Sequence, residues 1–134
     1  MRRILFFLLV LLFTVSCGTN SSDTFRTLQS ISVQPGTAST TVGHTAAFHA
    51  MGTFSDGKAE DLATDGWGVT WNVSSTMANP VNWATVDANG VATCINAPAT
   101  VQIVANAPSW ECKSQVCPAI AVALVQGSAD LTCN

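Results

Sequence analysis

Two hydrophobic patterns divide this chain of 134 residues. The first is an unbroken apolar run over residues 4–13, preceded by Arg2 and Arg3 and closed by Thr14-Val15-Ser16-Cys17. The second begins at Leu28 and alternates with a period of two, which sends successive side chains to opposite faces of a strand. Residues 28–33 set Leu28 and Ser30 against Gln29, Ile31 and Val33, and end at the Pro35-Gly36 turn. Residues 45–54 set Ala46, Phe48 and Ala50 against His49, before the turn Ser55-Asp56-Gly57-Lys58. Residues 69–73 send Val69, Trp71 and Val73 inward. Short strands at 83–86 and 91–95 flank Asp87-Ala88-Asn89-Gly90, a hairpin turn because Asn-Gly tolerates positive φ. Residues 101–107 send Val101, Ile103 and Ala105 inward, and residues 119–125 are apolar on both faces. Seven short strands separated by turns, without an amphipathic helix or an internal repeat, predict one all-β domain built as a two-sheet sandwich.

The opening run is a different object. A basic start, a short apolar core and small residues before a cysteine read as a secretory signal peptide, residues 1–16. The core falls well short of the ~20 residues that span a bilayer. Residues 14–17 resemble the bacterial lipobox, with Thr14 where that family prefers Leu. The resemblance implies cleavage before Cys17 and lipidation of Cys17 as the first mature residue. Lipoproteins of this kind carry two or three acyl chains, enough for firm attachment at ~0.8 kcal/mol per buried methylene. Gly18 in the next position implies the outer membrane in that family. Residues 17–27 are then the lipidated cysteine and a polar, flexible tether, and residues 28–134 are the folded domain. The expected location is the cell envelope, on its periplasmic or surface face.

Charge narrows the partners. Without the signal, three basic residues (Arg26, Lys58 and Lys113) face eight acidic ones, a formal charge of −5. That argues against nucleic acid as a partner and against an electrostatic grip on anionic lipid. Tyr is absent and four Trp take part of its role. Beyond Cys17 there are four cysteines, Cys94, Cys112, Cys117 and Cys133, and an even number in an exported domain reads as two disulfides. Four cysteines allow three pairings, and spacing does not choose among them. Zinc is disfavoured, since four residues separate Cys112 from Cys117 and neither His44 nor His49 lies near them.

The order of short blocks along residues 28–107 is similar to the bacterial immunoglobulin-like domain of group 2, the module of intimins and invasins. The blocks are residues 28–35 (LQSISVQP), 42–48 (VGHTAAF), 52–57 (GTFSDG) and Asp61-Leu62. Val69-Thr70-Trp71, residues 84–87 (ATVD), 90–93 (GVAT) and 99–105 (ATVQIVA) complete the series. The resemblance implies an immunoglobulin-like β-sandwich with a structural or adhesive role and no catalytic motif. Two departures stand out: Cys94 where the family often has Gly, and residues 108–117, longer than the usual hairpin. In such a sandwich the fifth strand ends near the start of the sixth, and the seventh returns to that pole. The resemblance thereby implies the disulfides Cys94–Cys133, tying down a C-terminal tail, and Cys112–Cys117, in the sixth-to-seventh connection at the opposite pole.

Candidate chemistry is sparse. Asp56, Glu60, Asp61 and Asp65 form an acidic stretch whose spacing does not match a calcium loop and reads as a solvated turn. His49 faces solvent on its strand and His44 sits beside a turn. With no nucleophile motif and no Gly-rich phosphate loop, the expectation is a non-enzymatic protein without a cofactor or metal. Trp71 belongs in the core. Trp67, in the connection 61–68, and Trp110, in the loop framed by the second disulfide, are the candidate contact residues. An exposed Trp anchors a protein partner or stacks on a sugar ring, although a loop Trp more often folds back on the sandwich edge. The leading expectation is an envelope contact or spacing module. The alternatives are a carbohydrate-binding module and a periplasm-facing subunit that pairs its edge strands with a larger partner.

Overall fold

A computed structural model describes residues 26–64, 66–75, 80–110 and 123–134. Among these, ten strands form three sheets. In chain order they are β1 (Leu28–Gln34), β2 (Thr37–Thr40), β3 (Thr45–Ala47), β4 (His49–Phe54), β5 (Ala59–Asp61) and β6 (Thr70–Ser74). After a 3-10 turn at Pro80–Asn82 come β7 (Ala84–Val86), β8 (Val91–Cys94), β9 (Ala99–Pro108) and β10 (Leu124–Cys133). The sheets run β1-β4-β5, β2-β10-β9-β6 and β3-β8-β7. Every pairing is antiparallel except β2 with β10.

The domain is all-β, as the alternation predicts, but the strand count exceeds the seven expected. The expected strand 45–54 is two strands. Its alternation runs unbroken, with Phe48, Ala50, Gly52 and Phe54 buried and Ala47, His49 and Thr53 exposed. Its partner changes, however, from β8 along β3 to β1 and β5 along β4. At the switch, Phe48 N–H donates to Gly90 O at 2.9 Å. In β1 a register shift between Leu28 and Ser30 accommodates one extra residue, so Leu28 and Ile31 both point inward. Strict alternation had put them on opposite faces.

The last strand also departs from expectation. The anticipated strand 119–125 overlaps the observed one only at Leu124 and Val125, and residues 119–122 lie outside the described residues. The supposed C-terminal tail is itself β10, ten residues paired along the whole of β9 from Leu124↔Pro108 to Cys133↔Ala99. Ala129, Leu131 and Cys133 form its buried row.

One core joins the three sheets. It takes Leu28, Ile31 and Val33 from β1, Phe54 from β4, Ala92 and Cys94 from β8, and Val101, Ile103 and Ala105 from β9. Trp71 and Trp83 are half-buried against it. Gly127 marks the point where β1 lies across β10, because a Cβ there would press into the Ile31 backbone carbonyl. The Asp87–Gly90 turn closes through Asp87, whose Oδ1 accepts from Asn89 N at 2.9 Å and Val91 N at 2.8 Å, with Gly90 at φ +78°.

Candidate functional site

The long β9–β10 pair gives the domain an axis of ~30 Å, at about 3.3 Å per residue. The described chain begins at one end of it. There Thr27 forms an isolated antiparallel bridge with Trp110, just past the end of β9. Leu28 N–H donates to Ser109 O at 2.8 Å and Ser109 N–H to Ala123 O at 2.9 Å. The β4–β5 turn joins the same end, since Ser55 N–H donates to Thr27 O at 2.9 Å and Thr27 N–H to Ser55 Oγ at 3.1 Å. This pole, where the described chain begins, carries the Trp110 side chain at 53% exposure and Leu124 at 67%.

Just inside this pole lies a stack of larger groups. The Arg26 guanidinium sits 4.2 Å from the centre of the Phe54 ring and 2.7 Å from the Glu60 carboxylate. Phe54 meets Trp67 with ring centroids 5.0 Å apart, tilted by 49°. Trp67 is 2% exposed, which removes it from the candidate contact residues. Leu62 and Trp67 both turn into the core, and Trp67 N–H donates to Leu62 O at 3.4 Å. Leu62 and Trp67, two large apolar residues in an otherwise polar connection, were the signal for this. The indole Nε1 is buried and has no acceptor among the described residues. The sequence named Trp67 and Trp110 together, and the fold puts one inside the core and the other in solvent.

The opposite pole holds the Cys94–Cys133 disulfide, with Cα atoms 5.7 Å apart and both residues buried. The chain folds tightly around it. Gly43 N–H donates to Cys94 O at 2.9 Å, Asn134 N–H to Thr40 O at 2.9 Å, and Ile95 N–H to Trp83 O at 2.8 Å. Val42 and Ile95 are exposed here, beside an open hollow lined by Pro98, Ala99, Thr132 and Cys133. Cys17, Cys112 and Cys117 lie outside the described residues.

In the acidic stretch Asp65 lies outside the described residues, and Asp56, Glu60 and Asp61 each have a local partner. Glu60 is engaged by Arg26, and Asp61 lies 3.7 Å from His49 Nδ1 while its Oδ1 accepts from Ala63 N at 2.9 Å. Asp56 Oδ1 accepts from Lys58 N at 3.0 Å, an Asx turn. Among the described residues no three His, Cys, Asp or Glu side chains converge on a point that could hold a metal ion. His44 Nδ1 lies 3.0 Å from Thr41 Oγ1, a local turn contact. No protein-family model matches the chain, and no curated protein matches it.

Proposed function

We propose that this chain is an exported envelope lipoprotein, acylated at Cys17, whose domain is an immunoglobulin-like β-sandwich acting as a non-enzymatic contact or spacing module. The strand order supports the sandwich. With β3 and β4 taken as one long strand, β7, β8, β3/β4 and β1 follow one another in one layer, and β6, β9 and β10 in the other. That is the order of the seven-strand immunoglobulin arrangement, with β2 and β5 added at edges. The observation that carries the functional reading is the opposition of the two poles. The tether leads into the domain at Thr27, and the C-terminal residues Cys133 and Asn134 stand at the far end of the β9–β10 axis. A domain held at one end presents the other, with its exposed Val42 and Ile95, away from the membrane.

The test is metabolic labelling of the full chain with an alkyne fatty acid in a diderm bacterium, beside the Cys17→Ser variant. Label on the wild type alone is the expected result. Equal labelling, or none, rejects the anchor. Protease shaving of intact cells, with lysed envelopes as control, then decides the face. Loss from intact cells places the module outside and directs the partner search to host surfaces and glycans. Protection until lysis makes it periplasmic and directs the search to envelope complexes.

A further inference from the structure

We propose that the tether pole rests on the surface of the bilayer that holds the anchor, with Trp110 seated at headgroup level and Leu124 beside it. The proposal rests on acylation of Cys17. Two observations carry it.

The first is where the chain leaves the described residues. Eight residues, 18–25, separate the acylated Cys17 from Arg26, and Arg26 leads directly into Thr27, the bridge partner of Trp110. Even fully extended, a chain of that length reaches no more than about 30 Å. The anchor therefore attaches the domain at this pole, and the opposite pole is the remote one. Tethering of this kind makes a weak surface contact effectively intramolecular.

The second is the chemistry of what is exposed. Trp110 and Leu124 are among the most exposed large apolar side chains of the described residues, and both stand at the end where the tether arrives. An indole has an apolar body and one N–H, the combination enriched where hydrocarbon gives way to headgroups. The opposite pole exposes the aliphatic Val42 and Ile95 instead.

The experiment uses the full chain purified from a bacterial host, with its intact mass read first. It is reconstituted in phosphatidylethanolamine–phosphatidylcholine vesicles, plain or brominated on the acyl chains near the headgroup. The emission that depends on Trp110 is obtained by difference from Trp110→Ser, against the other three tryptophans. The expected result is loss of that emission in brominated vesicles, a blue shift in plain ones, and protection from aqueous iodide in both. Leu124→Ser should reduce the bromine quenching while leaving the fold's melting transition in place. A lipidated chain whose Trp110 emission is equal in the two vesicle types, or stays open to iodide, overturns the proposal and leaves the anchor standing. A Trp110 signal that moves only when a glycan or protein is added also overturns it, in favour of that partner. A product without the lipid mass overturns both readings, and the mass spectrum alone reveals it.

Discussion

The two ends of the domain are held by different physics. At the pole where the described chain begins the core is large and aromatic: Leu28, Phe54, Leu62 and Trp67 are buried together and Arg26 closes over Phe54. At the far pole Ala84, Ala92 and Ala99 lie buried about Cys94 and Cys133, with Val101 and Leu131 two residues further in. Three alanine side chains remove far less apolar surface from water than a Phe, Leu and Trp, at roughly 25 cal/mol per Å². The disulfide adds to the small side chains around it by restricting the unfolded chain, as is common where a small domain cannot build a sufficient core. The covalent link thus stands among the alanines, and the aromatic packing stands at the other end. The disulfide end is also where the first edge strand, β2, docks in parallel on the last strand.

The comparison breaks first at the aromatic end. Trp67→Ala removes the cover from Phe54 and leaves a cavity, so it should cost about 3–5 kcal/mol. Urea unfolding measures this; a loss under about 1 kcal/mol would mean that the connection 61–68 contributes little to the core. The far pole comes next. Removing the Cys94–Cys133 bond, by reduction or by paired Cys→Ala changes, opens a loop with a sequence separation of 39. Loop entropy sets the loss at about 4 kcal/mol. Comparing unfolding with and without reductant reads it, and an unchanged midpoint would refute the view that the bond adds to the stability of this end.

Between the poles, Gly127→Ala drives a methyl group into the backbone of β1, which cannot move as a flexible side chain would. The cost should be about 1–3 kcal/mol. A neutral result would mean that β1 and β10 do not need their close approach there.

The sequence was most legible where burial followed a strict period. Val101, Ile103 and Ala105 announce β9 because an inward row of β-branched and small residues alternates with Thr100 and Gln102. The alternation over 45–54 is equally plain, but a period of two says which face is buried, not which strand is the neighbour. The change of partner at Phe48 therefore left no trace in it. β2 and β5 are three- to four-residue edge strands of Thr, Ala, Ser and acids, without a fully buried side chain, so no pattern marked them. β10 was placed too early because apolar content drew attention to residues 119–125. Its true inward row of Ala129, Leu131 and Cys133 is spaced by polar residues, a weaker but correct signal. The candidate site was half legible. Two tryptophans in connections look alike in sequence, and only the turn into the core beside Leu62 separates the buried Trp67 from the exposed Trp110.

That separation sets up the smallest expected effect. Trp110→Ala truncates a side chain already in solvent and keeps the backbone bridge to Thr27, so stability should change by no more than about 0.5 kcal/mol. The pair Trp67→Ala and Trp110→Ala thus makes a matched test, the same truncation inside and outside one pole. Thermal melting of both in the same buffer measures it. If Trp110→Ala melts as early as Trp67→Ala, then Trp110 belongs to the packing of this pole. Its exposure could then no longer be taken as a surface kept for contact.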